Sequence, residues 1–164
     1  MSADGLRSMV TYPTSFGDGW VCYDAAGPSE TGLPASSRPL PVTPPPRPSV
    51  VSDLIDGLTD YWQGAELPSA TASILDRAAT SPFLAEIYDV VAAIPRGTTM
   101  TYAAVAAAAG RPGAWRAVGA AMARNPFAPI IPCHRVIGSD RSLRGYAGGL
   151  DMKSALLALE GADV

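Results

Sequence analysis

Two kinds of apolar pattern occupy the first half of the chain. Short apolar runs at Met9–Tyr12 and Trp20–Tyr23 are bounded by Gly, Pro and Asp, which predicts short strands of a small sheet. Between residues 49 and 64 the large apolar side chains recur at helical spacing, which predicts an amphipathic helix. Residues 34–48 hold seven prolines, so they are expected to form an extended linker or an ordered surface loop. Residues 1–80 are therefore predicted to be a small α/β domain.

Helical periodicity dominates the second half, and residues 81–164 are predicted to form a mainly α domain. The predicted helices cover residues 81–93, 98–109, 112–123 and 151–160. Pro82 suits a first helical turn, and Asp151 is the expected N-cap of the last helix. Gly110 and Pro112 place a tight break between the two middle helices. A helix-turn-helix and an ordinary helical hairpin of an all-α core both fit this pattern.

Charge is distributed unevenly along the chain. The formal net charge is −3, which by itself argues against nucleic acid as a partner. Residues 95–150, however, carry seven arginines and one acidic residue, a net charge of +6. Because a guanidinium suits phosphate, a local basic face is compatible with an acidic total. Solvated surface arginines would explain the same count, so charge alone leaves both interpretations open.

Composition disfavours several classes of protein. No stretch approaches the roughly 18 apolar residues of a membrane span. The first residues lack the cationic start and apolar run of a signal peptide, so a cytoplasmic protein with no membrane partner is expected. Cys22 and Cys133 are too few for a disulfide framework. His134 is the only histidine, so a full set of clustered Cys and His ligands is absent from the sequence and no metal is expected.

The densest chemical signal is the run Ile-Pro-Cys-His-Arg-Val at residues 131–136. A thiol beside an imidazole is a candidate activated nucleophile, because the thiolate is the reactive form. Adjacent positions in sequence do not by themselves bring two side chains into contact, and a buried structural cysteine is the commoner case. The dipeptide alone leaves both interpretations open.

The stretch IPCHRVIGSDRSLRGYAGGLDMKSALLALEG resembles the active-site region of the O6-alkylguanine-DNA alkyltransferases, also called methylated-DNA–protein-cysteine methyltransferases. The hallmark of that family is Pro-Cys-His-Arg-Val. The preceding stretch IPRGTTMTYAAVAAAAGRPGAWRAVGAAMARNP is similar to the family's helix-turn-helix, which implies a winged-helix-like arrangement. The resemblance runs from Phe83 to Gly161, whereas residues 1–80 match the family's N-terminal domain loosely. Arg144 stands where the family often has a small residue, which implies a narrower pocket or an added phosphate contact.

The resemblance implies a catalytic role for five residues. Cys133 would be the nucleophile and the alkyl acceptor, and His134 would be its base, acting through a water. Glu160 would hold the imidazole in the useful tautomer. Asn125 would shape the turn around the cysteine. Tyr102 would touch the extruded base or its phosphate and donate a proton to the leaving guanine.

The same resemblance implies a DNA-binding surface and a substrate pocket. Arg116 would enter the base stack and fill the gap left by the flipped nucleotide. The other expected DNA contacts are Tyr102, Ala117, Gly119 and Arg135. The expected walls of the pocket are Met122, Tyr146, Ala147, Gly148 and Gly149. The small residues after Arg116 would let the helix approach DNA closely in the minor groove.

The implied function is DNA repair by direct reversal. The expected substrate is O6-alkylguanine in double-stranded DNA, with O4-alkylthymine as a second substrate. After base flipping, the alkyl group would pass once and irreversibly to Cys133, with no cofactor. The protein is expected to act as a monomer, with cooperative binding to DNA. The alternatives are a lesion-binding protein without an acceptor cysteine, a helix-turn-helix transcription factor and a cysteine hydrolase.

Overall fold

The computed structural model describes residues 8–34 and 46–164. The chain divides into two units, residues 1–68 and residues 69–164. The boundary expected from the sequence, after residue 80, lies later than this division. The difference arises because a short helix that ends before residue 80 packs against the helix that follows it.

The first unit is a small antiparallel sheet with one helix, which confirms the predicted α/β class. Its elements are β1 (Ser8–Thr14), β2 (Gly17–Asp24), β3 (Gly27–Gly32) and α1 (Ser49–Trp62). The strand order is β1-β2-β3. The two apolar runs predicted as strands pair with each other, and Val10 lies opposite Val21. Residues 35–45, most of the proline-rich stretch predicted as an extended linker or an ordered surface loop, lie outside the described residues.

Strand β3 was not predicted, because its sequence GPSETG lacks alternating apolar residues and strand-favouring side chains. It forms because β2 offers it an edge for antiparallel pairing. A buried hydrogen bond across the sheet supports the arrangement, in which the Tyr12 hydroxyl on β1 donates to the Gly32 carbonyl on β3 at 3.2 Å. Tertiary pairing, not local pattern, decides this strand.

The second unit is mainly helical, as predicted. Its elements are α2 (Ala72–Ala78), α3 (Pro82–Ala92), β4 (Met100–Thr101), α4 (Tyr102–Ala108), α5 (Trp115–Ala123), a 3₁₀ turn (Cys133–Arg135), β5 (Val136–Ile137) and α6 (Leu150–Glu160). Ser81 caps α3 by accepting a hydrogen bond from the Leu84 backbone N–H at 3.3 Å, and Pro82 lies in the first turn. In residues 8–34 and 46–164, no helix is both long and apolar enough to cross a bilayer.

The two middle helices are shorter than predicted. Strand pairing delays the start of α4, and the conformation of a glycine delays the start of α5. β4 pairs in parallel with β5, and Thr101 then caps α4 by accepting from the Ala104 backbone N–H at 3.1 Å. Gly113 has a φ of +88° in the connecting turn, so α5 begins only at Trp115. The two helices pack against each other, and the winged-helix-like description stays a prediction.

Glycines define both ends of α6. Gly149, with a φ of +86°, is the N-cap. The expectation that Asp151 caps the helix is wrong, because the helix already begins at Leu150 and Asp151 lies in its first turn. Gly161 adopts the left-handed conformation expected just past a helix end. The helix packs against the 3₁₀ turn, and this contact brings its last residue to the candidate site.

Candidate active site and nucleic-acid interface

The Cys133 thiol lies in the 3₁₀ turn that follows a buried apolar segment. Phe127 and Ile131 are fully buried, and Cys133 is 4% exposed. Asn125 donates from Nδ2 to the Ile131 carbonyl at 2.8 Å and to Cys133 Sγ at 3.1 Å. Its Oδ1 accepts from the Phe127 backbone N–H at 3.0 Å. One amide therefore holds the turn and the thiol in a single arrangement.

The surroundings of Cys133 favour the protonated thiol. Burial raises the pKa of Cys133 above its ordinary value, because the thiolate would lose its hydration. Hydrogen bonds with Asn125 and Tyr146 and the positive charge of Lys153 lower the pKa, but burial is the larger cause. A base is therefore needed before Cys133 can act as a nucleophile at neutral pH.

His134 is fully buried and faces a carboxylate. Its Nε2 lies 3.0 Å from Glu160 Oε1. Burial lowers the pKa of His134, and Glu160 opposes this shift without reversing it, so the imidazole is neutral. A neutral ring that meets a carboxylate through Nε2 donates from that nitrogen and leaves Nδ1 as the acceptor. Among the described residues, Nδ1 has no hydrogen-bond partner, so this atom is available to take a proton.

Arg135 is buried beneath the same carboxylate. Its Nε and Nη2 donate to the two Glu160 oxygens at 2.8 and 2.7 Å, and Nη1 donates to the Ile94 carbonyl. The bidentate pair keeps Glu160 oriented for His134. This placement argues against the DNA contact expected for Arg135, because reaching a phosphate would break a buried ion pair.

Lys153 is a buried member of the site that was not predicted from the sequence. Its Nζ donates to the Val136 carbonyl at 2.6 Å and to the Arg144 carbonyl at 3.3 Å. The same atom lies 5.9 Å from the ring centroids of both Tyr102 and Tyr146. Lys153 therefore ties the two ends of the loop 136–144 together beside the two tyrosines.

A signal for Lys153 was present in the sequence. It is the only lysine of the chain, and it lies on the buried stripe of α6 together with Glu160. Charged residues are almost never fully buried without a partner, so two of them on one buried stripe indicate specific contacts. Burial lowers the pKa of Lys153 to about 8.

An open cavity of about 760 Å³ lies beside α4 and α5. Its lining includes Tyr102, Trp115, Arg116, Gly119 and Arg144. Tyr102, Arg116 and Gly119, three of the residues expected to contact DNA, thus line one cavity. A fourth, Ala117, is exposed on α5. Burial raises the pKa of Tyr102, and Cys133 adds to the shift, so this hydroxyl is protonated at neutral pH.

Most of the residues expected to wall the pocket lie elsewhere. The lining of the cavity includes neither Met122 nor residues 146–149. Met122 is buried, and Tyr146 interacts with the Cys133 thiol. Ala147 and Gly149 are exposed, with half-buried Gly148 between them. The structure therefore places Tyr146 at the Cys133 thiol and does not place residues 147–149 on the cavity wall.

Two exposed arginines line the cavity, and their guanidinium groups have different partners. The Arg144 guanidinium pairs with Asp140 at 2.8 Å, and Asp140 also accepts from the Ser142 hydroxyl at 2.6 Å. The Arg116 guanidinium lies 4.1 Å from the centroid of the Trp115 ring. Arg116 is thus stacked on an aromatic ring, whereas Arg144 is paired with a carboxylate.

Comparison with known proteins identifies related sequences for the larger part of the chain. Residues 82–162 match the family described as 6-O-methylguanine DNA methyltransferase, DNA binding domain. The methylated-DNA–protein-cysteine methyltransferase of Mycobacterium bovis is 44% identical over 115 residues, which cover 70% of this chain and 68% of that protein. The protein of the same name from Methanothermobacter thermautotrophicus is 41% identical over 117 residues. That alignment covers 71% of this chain and 65% of the relative, less than two thirds of its length.

A solved structure extends the similarity to both units. The crystal structure of Mycobacterium tuberculosis OGT in complex with DNA is similar to this chain with a TM-score of 0.75 and 30% identity, covering 93% of this chain and 92% of that one. The fold and the buried thiol define a two-unit protein whose second unit holds a buried cysteine and matches a family described as a DNA-binding domain. The chain belongs to the methylated-DNA–protein-cysteine methyltransferase family, which confirms the resemblance found in the sequence.

Proposed function

We propose that this chain removes the alkyl group from O6-alkylguanine in double-stranded DNA and retains it on Cys133 Sγ. The observation that carries the proposal is the buried set of Cys133, His134 and Glu160, in which a neutral imidazole held by a carboxylate directly follows the thiol-bearing residue in the chain. Five exposed arginines between residues 95 and 150 support DNA as the partner, namely Arg111, Arg116, Arg124, Arg141 and Arg144.

Proton transfer from the thiol is the first chemical step. His134 Nδ1 takes the Cys133 proton through a bridging water, and Glu160 stabilises the imidazolium that forms. Arg135 holds the Glu160 carboxylate by two hydrogen bonds. The positive charge of Lys153 lowers the pKa of Cys133 and therefore stabilises the thiolate.

Displacement follows at the alkyl carbon. The sulfur–carbon bond forms, the bond from that carbon to O6 breaks, and its electron pair leaves with guanine. The Tyr102 hydroxyl donates a proton to the leaving guanine, and the imidazolium of His134 then returns a proton to Tyr102 through solvent. The products are guanine in DNA and a thioether on Cys133. Because a thioether is a poor leaving group, the protein acts once.

DNA binding precedes the chemistry. Helix α5 enters the minor groove, and the small exposed side chains of Ala117 and Ala120 let its backbone approach the duplex. The damaged nucleotide rotates out of the stack, at a cost of about a few kcal/mol. Arg116 fills the gap that the nucleotide leaves. The protein acts as a monomer in this scheme and needs no cofactor.

Intact-mass analysis tests the proposal. The full chain is mixed with a duplex that contains O6-methylguanine with an isotopically labelled methyl group. We expect one labelled methyl group per chain, on the peptide that contains Cys133, with no further turnover. The Cys133→Ala variant should take no label. The Cys22→Ala variant is the matched control, because Cys22 is also buried but lies in the first unit, and it should be labelled fully.

Three results would separate the proposal from its competitors. Label on Cys22, or on Cys133→Ala, would contradict Cys133 as the acceptor. Tight binding of the damaged duplex without transfer would indicate a lesion-binding protein. Repeated release of methylated product would indicate a turning-over enzyme. A parallel reaction with an O4-methylthymine duplex tests the second substrate.

A further inference from the structure

Trp115 is a large aromatic side chain exposed beside Arg116. It is the first residue of α5, and it is 44% exposed. The other two tryptophans, Trp20 and Trp62, belong to the first unit and are 4% and 8% exposed. Leaving an indole in water has a cost that burying it against a partner would recover. The exposed indole of Trp115 is therefore available to a partner.

The position of Trp115 restricts what that partner can be. Trp115, Tyr102 and Arg116 line one cavity, and the residues that follow on the exposed face of α5 are small. Net positive charge surrounds this segment of the chain. An apolar protein surface would remove Arg116 and Arg144 of the cavity from water without giving them a partner. A nucleic acid offers phosphates to the guanidinium groups and flat base faces to the indole.

The contact between Trp115 and Arg116 supplies the geometric link to DNA. The guanidinium lies 4.1 Å from the indole ring centroid, so one face of the ring is covered by a cation. An exposed cation–π contact is weak enough to be exchanged for another partner. When Arg116 moves into a duplex, the covered face of the indole is released at the edge of the opened base pair.

We propose that Trp115 is a base-stacking residue that works together with Arg116, an inference that rests on the function proposed above. Arg116 leaves the indole to occupy the gap in the duplex, and the indole stacks on the base that the flipped nucleotide leaves uncovered. Stacking on aromatic side chains is independent of base identity, which suits a protein that must act wherever the lesion occurs. Wedges of this kind stabilise opened base steps in the minor groove.

Transfer rates from two substrates test this role. Single-turnover transfer to Cys133 is measured with a duplex containing O6-methylguanine and with free O6-benzylguanine, which needs no base flipping. We expect Trp115→Ala and Trp115→Leu to slow transfer from the duplex by about tenfold, the lower part of the range for loss of one stacked base. Trp115→Phe should stay within about twofold of the parent chain, since its ring can still stack. All three should react with the free base at the parent rate.

Phe16→Ala is the matched control for these variants. Phe16 is an aromatic residue of similar exposure, 54%, in the first unit, and its removal should leave both rates unchanged. A parent rate on the duplex for Trp115→Ala would overturn the proposal. So would a Trp115→Leu variant as fast as Trp115→Phe, because apolar volume rather than stacking would then suffice. An equal loss on the free base would show that Trp115 acts on the site itself.

Tryptophan fluorescence gives a readout that does not depend on transfer. Because Trp20 and Trp62 are buried, quenching by acrylamide reports mainly on Trp115, and Trp115→Phe supplies the baseline. We expect the duplex with O6-methylguanine to protect Trp115 from acrylamide more than the same duplex with guanine. Equal quenching in the free and DNA-bound chain would overturn the proposal. Absence of transfer by the parent chain would defeat the proposed function instead, and fluorescence would still decide the stacking.

Discussion

The buried cluster around Cys133 and the open cavity beside α5 lie in one unit but are held together in different ways. In the cluster, His134, Arg135 and Glu160 are nearly inaccessible to solvent, and charged hydrogen bonds of 2.7 to 3.0 Å connect them. In the cavity, Trp115 and Arg116 are exposed, and the Arg116 guanidinium lies 4.1 Å from the Trp115 ring centroid. Buried ion pairs are costly to break, whereas exposed contacts contribute little. The residues of the proposed chemistry are thus preorganised, whereas the proposed DNA contacts are left to form on binding.

The strongest test of this contrast is the removal of Arg135. Arg135→Leu leaves the Glu160 carboxylate buried without its cation, so we expect the free energy of unfolding to fall by about 3–5 kcal/mol in urea denaturation. Arg116→Leu is the control in the cavity and should change it by about 0.5 kcal/mol or less. If the Arg135→Leu variant is fully stable but binds DNA more weakly, Arg135 contacts DNA and does not serve mainly to hold the Glu160 carboxylate.

Removal of one charge from the cluster should slow the chemistry. Glu160→Gln keeps the side-chain shape but cannot stabilise the imidazolium of His134, so we expect single-turnover transfer to slow by about 100-fold. The control is Glu86→Gln, which breaks an exposed pair with Arg111 away from the site and should not change the rate. Circular dichroism checks that the variant is folded. Equal rates for Glu160→Gln and the parent would mean that His134 does not depend on the carboxylate.

Removal of a cation from the cavity should affect only the duplex reaction. Arg116→Ala is expected to slow transfer from a duplex by about tenfold, because the opened base pair loses its wedge. Transfer from free O6-benzylguanine should not change. Arg124→Ala removes an exposed arginine at the end of the same helix, where it bonds to the Ala120 carbonyl, and it should be close to the parent. If the rate of transfer from free O6-benzylguanine falls as well, Arg116 takes part in the chemical step.

Lys153 connects the cluster with the cavity, and a smaller effect is expected from its removal. Lys153→Met removes a positive charge that lowers the pKa of Cys133, so less thiolate should form at any given pH. We expect iodoacetamide to label Cys133 a few-fold more slowly at neutral pH, with the labelling profile displaced to higher pH. Lys153→Arg keeps the charge and should retain more of the reactivity. Identical profiles for the parent and Lys153→Met would contradict this electrostatic role.

The pH dependence of stability tests the state of His134. Burial lowers the pKa of His134 in the folded chain below the ordinary histidine value of about 6.5, so the unfolded chain binds the proton more readily. The contribution of neutral His134 to the free energy of unfolding is therefore fully present above pH 6.5. It is lost as the pH falls from 6.5 toward the pKa of His134 in the folded chain. Urea denaturation over this range should show the loss in the parent and not in His134→Gln. Because His134 is the only histidine, NMR of its ring protons can check that it stays neutral. A ring protonated above pH 6.5 would contradict the assignment.

The elements of both units were predictable where local pattern and packing agree. The apolar periodicity of α3 and its Ser81–Pro82 start are local signals, and the structure uses both. Helix α4 begins later than its alanine-rich sequence suggests, because β4 pairs with β5 from a distant part of the chain. Strand β3 has no apolar alternation at all and exists through its pairing with β2. Long-range pairing is the information that a local pattern lacks.

The candidate site shows the same division among individual residues. Adjacency to Cys133 and the family resemblance pointed to His134. Only the contact with Glu160 decides that Nε2 is the donor of the ring and that Nδ1 is the acceptor. The family resemblance implied a DNA contact for Arg135, and its place in a basic segment did not contradict that expectation. Its burial follows from the packing of α6 against the 3₁₀ turn. Lys153 was overlooked because a lone lysine on a helix is ordinarily solvated.

The sequence by itself determined the family, the acceptor candidate Cys133, the uneven charge and the helical character of the second unit. These properties depend on residue type and order, which are local and can be read directly. The tertiary structure decided which charges are buried, which nitrogen of His134 is free to act, and that Trp115 stays in solvent beside Arg116. Those outcomes depend on desolvation and on contacts between distant segments, and only the folded chain brings such segments together.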